Sequence, residues 1–313
     1  MCIRDSTGYK TKMVAFKAKD EKYFAMCALP GTGFDEDYKN IDGVMIIPHM
    51  DEGEYWEEWY KEDDNAWQKD LTRVEKQFVA LCSYYGYPNA YKNKAYFYAT
   101  QALTWEIVMG YRTCDRDNGL AFLKTYNGIK LGKYVTGSNS TMLNEYKKAY
   151  DEIEKKVALH YTRPSALSKT SAVAQKNPIS MTYDWSTQKY TATFTIENEY
   201  MDKSSPSNYR EIIHDLGKNG AGFDVSYTEG SKNTKITVSA KKAFKEVKTV
   251  TVNRRIQDIP DDMKVKTYLK YGNQTLIQGT SRPDIYGGSI SFKITDQPNI
   301  KVEKQYKTAD GEL

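Results

Sequence analysis

Two residues of this sequence could react with each other if the fold brought them into contact. Cys27 lies in the segment FAMCALPG, and Gln101 lies in the segment YATQALTW. A thiolate that attacks the side-chain carbonyl of a glutamine expels ammonia and leaves an internal thioester. An external amine can open a thioester to give a stable amide and a free thiol. The first hypothesis from the sequence is therefore a stored electrophile built from Cys27 and Gln101.

Each of these residues has a simpler interpretation when it is taken alone. A single cysteine in an apolar strand is usually a small buried hydrophobic side chain, and Gln101 by itself is an ordinary helical residue. Attack requires a thiolate held at a fixed position beside the carbonyl carbon. The hypothesis therefore depends on the elements that would position the two side chains.

The segment around Cys27 is predicted to form short strands. Its apolar residues partly alternate, and turn residues separate the runs. The Pro and Gly residues of PGTGFDED, directly after the Cys27 run, predict a loop. The predicted strands are residues 12–19, 22–29 and 43–48.

The segment around Gln101 is predicted to be helical, because its apolar residues recur at helical spacing with charged residues between them. Gln101 and Trp105 fall on successive turns of one predicted helix. The predicted helices cover residues 52–85, 92–109 and 141–161, and GYPN at 86–89 separates the first from the second.

Beyond residue 161 the sequence pattern changes. Residues 162–178 are rich in Ser, Thr, Ala and Pro and are predicted to be a linker. Alternating runs follow, with turn signals between them, and they predict an Ig-like β-sandwich over 179–298. The predicted fold class is α+β, with an N-terminal domain over 7–161 that combines short strands and a helical unit, followed by the all-β sandwich. The predicted sandwich strands are residues 179–185, 189–197, 222–228, 234–240, 247–253 and 288–295.

Two motifs in the first domain resemble those of the thioester (TQXA-type) domains of Gram-positive surface adhesins. YFAMCALPG at 23–31 resembles the family's cysteine motif, in which the Cys lies in a strand before a Pro/Gly loop. YYGYPNAYKNKAYFYATQALTW at 84–105 resembles the second motif, a GYP-type turn that leads into a helix with Thr-Gln near its start and Trp four residues after the Gln. The resemblance covers roughly residues 10–160.

The resemblance implies a site and a function. A lysine amine on a host or neighbouring-cell surface protein would open the thioester in a single turnover, so the chain would be an adhesin and not an enzyme. It would lie at the cell surface, anchored to the cell wall through a missing C-terminal part, and would need no cofactor and no metal. Cys27 and Gln101 would form the bond, and the supporting residues of its pocket would be Thr100, Trp105, Tyr85 and Tyr98.

Three positions depart from the family pattern. Met26 stands where an aromatic residue or Leu usually precedes the cysteine. Leu103 occupies the place of an Ala, and Thr104 occupies the place of an aliphatic residue. Because Leu103 is bulkier than Ala, we expect the packing against the cysteine strand to differ from the family's.

The two ends of the chain are interpreted separately. MCIRDS at 1–6 resembles a translated sequencing-adapter scar and is excluded from the argument about function. IKVEKQYKTADGEL at 300–313 resembles the first strand of a SpaA/Cna-B-type module, so residues 299–313 are assigned to the start of a truncated module. Lys304 would be its isopeptide lysine, and the partner of that lysine would lie beyond Leu313.

Composition argues against several classes of protein. The net charge is +4 and the basic residues are dispersed, which disfavours a nucleic-acid partner. No apolar run approaches the length of a membrane span. The cysteines at 2, 27, 82 and 114 are too scattered for a disulfide framework and lack the spacing of a zinc site. The 26 tyrosines favour β-sheet faces and wet surfaces.

Two alternatives from other classes stay open. In the first, the chain is a non-covalent surface adhesin or stalk protein, and Cys27 and Gln101 merely pack. In the second, it is a cysteine hydrolase in which Cys27 acts with a histidine. The candidate histidines are His49, His160 and His214.

Overall fold

The structure is a computed structural model. It describes residues 71–88, 90, 93–205, 207–218, 222–253 and 287–295, together with the backbone of short strands elsewhere and the side chain of Met26. Helices and strands are mixed along the chain, as expected of an α+β protein. The described residues fall into two compact units. The first draws on the ranges Met1–Thr162, Ser205–Ser207 and Arg255–Tyr286, and the second on Arg163–Ser204, Asn208–Arg254 and Gly287–Leu313.

Long α-helices form the centre of the first unit. Each begins at a residue whose side chain accepts a backbone N–H of the first turn, which satisfies a donor that the helix itself cannot. These cap residues are Thr72, Asn93 and Asn139. The helices are α1 (Arg73–Tyr85), α2 (Lys94–Val108) and α3 (Ser140–His160), and short 3-10 helices at Gly119–Leu123, Tyr126–Gly128 and Leu131–Tyr134 lie between α2 and α3.

The helices predicted over 92–109 and 141–161 are confirmed as α2 and α3. The helix predicted over 52–85 is confirmed only from Arg73 onward. Its predicted start is wrong, because Asp51–Gly53 is a strand that pairs with residues 267–269. Residues 54–70 lie outside the described residues. Pairing with a strand far along the chain overrides the local helical spacing at this point.

Short strands surround the helices in the first unit, and those predicted at 12–19, 22–29 and 43–48 each contain an observed strand. The strands are β1 (Cys2–Arg4), β2 (Lys10–Lys12), β3 (Ala15–Ala18), β4 (Met26–Cys27), β5 (Lys39–Ile41), β6 (Val44–Ile47), β7 (Asp51–Gly53), β8 (Val135–Thr136), β14 (Val265–Leu269) and β15 (Leu276–Gly279). They form sheets in the orders β2-β1-β8, β4-β15-β14-β7 and β3-β6-β5. β1 belongs to the segment 1–6 that the sequence analysis excludes.

The strand that contains Cys27 pairs with a strand from far along the chain. In β4, Met26 and Cys27 lie opposite Ile277 and Leu276 of β15 in an antiparallel ladder. β15 and its neighbour β14 both contact α1. β14 and β15 fall within the range 179–298 that is predicted to form the C-terminal sandwich. In the structure they belong to the first unit. The position of the Cys27 backbone therefore depends on a partner strand that local sequence does not indicate.

The second unit contains one six-stranded sheet in the order β11-β12-β10-β9-β16-β13. Its neighbouring strands are antiparallel, except that β9 and β16 are parallel. The strands are β9 (Ile179–Asp184), β10 (Lys189–Glu197), β11 (Asp224–Glu229), β12 (Asn233–Ala240), β13 (Lys248–Asn253) and β16 (Gly287–Ile294), close to the six predicted runs. The helices are α4 (Ser171–Lys176), α5 (Asn198–Met201) and α6 (Glu211–Lys218). α4 falls inside the predicted linker 162–178 and contacts β13 and β16.

This sheet is curled. Phe223, which precedes the edge strand β11, has its ring centroid 5.1 Å from that of Phe292 in β16. Lys248 of the opposite edge strand, β13, lies with Nζ 5.4 Å from the centroid of the Phe223 ring. α6 contacts both edge strands, β11 and β13. The predicted Ig-like sandwich of two separate sheets stays a prediction.

Candidate functional site

Gln101 lies in the middle of α2, and its side chain is fully buried. Among the described residues, neither its Nε2 nor its Oε1 atom has a hydrogen-bond partner. Removing an amide from water without hydrogen bonds costs roughly 2–7 kcal/mol, and buried polar groups in native proteins are almost always paired. α2 thus holds an intact glutamine amide in an environment that is unfavourable for it.

The helix that carries Gln101 is buried on all sides. Every side chain from Ala99 to Val108 is buried, and α2 contacts both α1 and α3. A close-packed helix of this kind holds its side chains in a narrow range of positions and excludes water from them. Gln101 therefore has fixed surroundings, which a loop could not give it.

Thr100 fastens the preceding turn to α2. Its hydroxyl donates to the carbonyl oxygen of Tyr96 at 2.7 Å and accepts from the backbone N–H of Tyr87 at 2.9 Å. Gly86 is pressed against the same hydroxyl, since a Cβ added at position 86 would lie 2.2 Å from Thr100 Oγ1. The GYP turn and the Thr-Gln pair, which the sequence analysis treats as parts of one motif, are therefore joined by direct contacts.

Thr104, one turn after Gln101, is a second buried polar side chain without a partner. It is 1% exposed, and its Oγ1 atom makes no hydrogen bond to any residue that the structure describes. Residues three apart on a helix lie on the same face. Gln101 and Thr104 therefore form a polar strip along α2 that nothing in the described part of the chain pairs.

The Cys27 strand approaches the core through its neighbour Met26. Met26 is 1% exposed and belongs to the same apolar cluster as Ala102 and Leu103 of α2. Leu103 is itself fully buried in that cluster. The backbone of Cys27 is described as part of β4, and its side chain lies outside the described residues.

The residues expected to support the pocket lie in or against the same core. Trp105 is buried, and Tyr85 is buried with its hydroxyl 2.6 Å from His160 Nδ1. Tyr98 is half-buried with its ring 5.6 Å from that of Phe97, and burial raises the pKa of its hydroxyl. Tyr85 and Trp105 belong to one apolar cluster, and Tyr98 packs against it. Thr100 and Gln101 are buried on the same helix as Trp105.

A buried ion-pair network beside this cluster was not predicted from the sequence. Arg112 donates from Nε to Glu106 Oε2 at 2.6 Å and from Nη1 to Glu154 Oε1 at 2.5 Å. The Tyr150 hydroxyl accepts from Arg112 Nη2 at 2.5 Å and donates to Glu106 Oε1 at 2.8 Å. Burial lowers the pKa of the Arg112 guanidinium, but the Glu106 and Glu154 carboxylates outweigh that effect and raise it. The network joins α2, α3 and the segment between them.

One sequence signal could have revealed this network. Glu106 stands alone as a charged residue in the apolar run from Ala102 to Met109. A carboxylate in a fully apolar helix requires a buried partner. In the structure this partner is the guanidinium of Arg112, which pairs with Glu106 and also with Glu154.

Cys82, Cys114 and the described histidines lie in different environments. Cys82 is fully buried on α1, and burial raises the pKa of its thiol well above the ordinary value. Cys114 is half-buried. His160 pairs with Tyr85, and His214 lies in the second unit with Nδ1 3.4 Å from Asp215 Oδ1. His49 lies outside the described residues.

The remaining predictions concern Lys304, metal binding and membrane spans. Lys304 lies outside the described residues, so its isopeptide role stays a prediction. Among the described side chains, no group of three or more His, Cys, Asp and Glu residues could hold a metal ion. Within the same part of the chain, no helix has both the length and the apolar character needed to cross a membrane.

Comparisons with known proteins give a distant structural similarity. No protein-family model matches the chain, and no curated protein matches it in sequence. Among solved structures, the chain is similar to the thioester domain of the Staphylococcus aureus TIE protein, with a TM-score of 0.35 and 15% identity, covering 91% of this chain and 93% of that chain.

Proposed function

We propose that this chain is a cell-surface adhesin that forms an internal thioester between Cys27 and Gln101 and uses it to attach covalently to amines. The partner would be a lysine side chain of a protein on a host or neighbouring cell. The attachment is a single event per molecule, so the protein is not an enzyme. No cofactor or metal takes part.

The observation that carries the proposal is the unpaired amide of Gln101. Its two polar atoms are buried in α2 and make no hydrogen bond to the residues that the structure describes. Loss of ammonia removes the unpaired Nε2 donors altogether and leaves a carbonyl bonded to sulfur. A buried site that is costly for an amide therefore suits the thioester better.

The fold supports the required geometry. β4 is held in a four-stranded sheet, and α2 is packed between its neighbouring helices. Met26 contributes to the same core cluster as Ala102 and Leu103. Two regular elements that share a core can hold reacting atoms in a near-attack arrangement, and the exclusion of water protects a thioester from hydrolysis.

The chemistry is balanced without an oxidant or a reductant. The Cys27 sulfur adds to Cδ of Gln101, and the tetrahedral intermediate expels Nε2 as ammonia, which carries away the thiol proton. In attachment, the amine nitrogen adds to the same carbon and the carbon–sulfur bond breaks. The products are an amide to Gln101 and the free Cys27 thiol.

We propose that the second unit is an Ig-like stalk domain, because its described strands form one curled six-stranded sheet. Cell-wall anchoring would come from a C-terminal part of a longer protein. The charge distribution and the described helices give no reason to propose a nucleic-acid partner or a membrane span.

Intact-mass spectrometry of the folded protein tests the proposal. We expect a mass lower than that of the sequence by one ammonia, and an adduct at Gln101 after treatment with methylamine. Cys27→Ala should restore the full mass and abolish the adduct. The matched control is Cys114→Ser, which changes another cysteine and should keep both signals.

Other outcomes would favour the alternatives. A full mass with no methylamine adduct would contradict the thioester and leave non-covalent adhesion as the better explanation. Hydrolysis of peptide or ester substrates that disappears in Cys27→Ala would favour a cysteine hydrolase.

A further inference from the structure

The two threonines of α2 differ in a way that local helix geometry does not explain. A buried threonine in a helix commonly donates its hydroxyl to the carbonyl four residues earlier. Thr100 does so, to Tyr96, at 2.7 Å. Thr104 is equally buried, yet its hydroxyl donates to no group in the described part of the chain.

The unpaired Thr104 hydroxyl lies on the same helical face as the unpaired Gln101 carbonyl oxygen. The two residues are three apart, a spacing at which Cβ atoms on a helix are about 5–6 Å from each other. One is a donor without an acceptor, and the other is an acceptor without a donor. In the intact amide the two groups are not hydrogen-bonded to each other.

We propose that the Thr104 hydroxyl donates a hydrogen bond to the oxygen of Gln101 when that oxygen becomes negatively charged, during both formation and opening of the bond. This inference rests on the proposed thioester function and names a further residue in its chemistry. When a nucleophile adds, the carbonyl carbon becomes tetrahedral and the oxygen moves. A donor is useful where the oxyanion will lie, and it need not contact the resting carbonyl.

The atoms and charges balance in both steps. Addition of sulfur, or later of an amine, converts the carbonyl into an oxyanion on Oε1, toward which the Thr104 O–H would point. Collapse of this intermediate re-forms the carbonyl and expels ammonia in formation or the Cys27 thiolate in opening. The Thr104 proton is shared through the hydrogen bond and stays on its own oxygen throughout.

This role also accounts for a polar residue at an apolar position. An aliphatic side chain at position 104 would avoid the unfavourable burial of an unpaired hydroxyl. The described part of the chain offers Thr104 no compensating hydrogen bond. A hydroxyl that lowers stability in the resting state is reasonable if it acts in the reaction.

The test compares Thr104→Val, which keeps the shape and removes the hydroxyl, with Thr104→Ser, which keeps the hydroxyl. The rate constant of adduct formation with methylamine is measured by intact mass in each variant and in the wild type. Removing one oxyanion donor slows reactions by roughly 100- to 1,000-fold in preorganised sites. We expect Thr104→Val to react at least about ten-fold more slowly than the wild type, and Thr104→Ser to stay near it.

A stability measurement separates this role from a structural one. Melting temperatures are compared with and without Thr104→Val in the Cys27→Ala background, where no cross-link can form. Because the substitution removes an unpaired buried hydroxyl, we expect an unchanged or higher melting temperature. A slow reaction in a protein that is no less stable supports the proposal, whereas a lower melting temperature overturns it in favour of a packing role.

The remaining outcomes are also decisive. If Thr104→Val keeps its full mass while Thr104→Ser lacks one ammonia, formation itself requires the hydroxyl, and the proposal holds. If Thr104→Val lacks one ammonia and reacts at the wild-type rate, the Thr104 role is overturned while the thioester stands. If the wild type keeps its full mass, the thioester itself fails. Thr104→Ala replaces the valine variant if the latter does not fold.

Discussion

At the scale of single residues, the effect of a buried polar side chain on stability depends on whether its neighbours can form hydrogen bonds with it. Thr100 is satisfied twice, by Tyr96 and by Tyr87, and therefore stabilises the resting fold. Gln101 and Thr104 have no hydrogen-bond partner among the described residues, although they lie on the same helix and are equally buried. Unpaired buried polar groups are rare in native proteins and call for an explanation. The proposed thioester gives one for both residues.

Asp184, at the end of β9, provides a residue-scale prediction about pH. Its carboxylate accepts from the hydroxyl and the backbone N–H of Ser186 at 2.7 and 2.9 Å and from the Thr187 hydroxyl at 2.8 Å. These hydrogen bonds lower the pKa of Asp184 below its ordinary value. Because the folded-state pKa is lowered, the stability it contributes is fully present above the unfolded-state pKa, about 4, and is lost as the pH falls through the folded value.

The measurement is the melting temperature of the wild type and of Asp184→Asn between about pH 2 and pH 6. We expect the wild type to lose more stability on acidification than the asparagine variant, which has no carboxyl to protonate. An NMR titration of Asp184 should give a midpoint below that of the urea-unfolded chain. A midpoint at or above the unfolded value would contradict the prediction.

At the scale of elements, direct contacts join the turn after α1 to the helix α2. Gly86 allows the backbone to approach Thr100, and Thr100 in turn binds the N–H of Tyr87. The same glycine position lies against the Cys82 carbonyl of α1 and the Ile153 side chain of α3. The contact therefore ties all three helices together directly beside Gln101.

The prediction at this scale is that Gly86→Ala destabilises the first unit. An added Cβ would lie 2.7 Å from the Cys82 carbonyl oxygen and 2.8 Å from Ile153 Cδ1, so backbone as well as side chains must shift. Overpacking of this kind costs about 1–3 kcal/mol or more, which urea unfolding can measure. If the thioester forms in the wild type, its yield should also fall, because the turn that holds α2 is displaced.

A matched control is Gly217→Ala in α6. There an added Cβ meets its nearest neighbour, the Phe223 carbonyl oxygen, at 3.8 Å, which is an ordinary contact. Alanine also favours a helix over glycine by about 1 kcal/mol. We expect no loss of stability, and equal losses in the two variants would argue against a specific close approach at Gly86.

At the scale of the whole molecule, two units have their own cores. The cluster around α2 contains side chains of the first unit alone, and its polar counterpart is the Arg112 network with Glu106 and Glu154. Sheet β4-β15-β14-β7 draws strands from both ends of the described chain into that unit. The chain thus completes its first unit only after it has passed through most of the second.

Replacing Arg112 by Met should weaken the first unit and spare the second. The change leaves the Glu106 and Glu154 carboxylates buried without their shared cation, and breaking one side of a buried pair costs about 3–5 kcal/mol. Hydrogen exchange followed by mass spectrometry should show faster exchange in α2 and α3 and little change in β10 and β12. Faster exchange throughout would contradict the independence of the two cores.

The control for this variant is Lys189→Met, which breaks the more exposed ion pair with Asp224 in the second unit. Exposed pairs contribute about 0–1 kcal/mol. For Lys189→Met we expect hardly any change in the free energy of unfolding, and hardly any change in the hydrogen exchange of the first unit.

Regular elements could be predicted from the sequence where periodicity is strong. α2, α3 and the strands β9, β10, β12 and β16 follow their apolar spacing closely, because each buries one face or all faces against a core. The strand at Asp51–Gly53 could not be predicted, since its partner β14 lies over 200 positions away (265 minus 53). The Arg112 network was missed because a lone Glu106 in an apolar run gives no information about which cation it meets.

By itself, the sequence determined the candidate pair of residue types, the helix that carries Gln101 and the strand that carries Cys27, since these depend on residue identity and local periodicity. Only the tertiary structure decided that the Gln101 amide and the Thr104 hydroxyl have no partners among the described residues. It also decided that Thr100 holds the turn at Gly86 and that β15 pairs with the Cys27 strand. Such facts arise from contacts between segments far apart in the chain. Local patterns fix which face of an element is buried, and long-range packing fixes what that face meets.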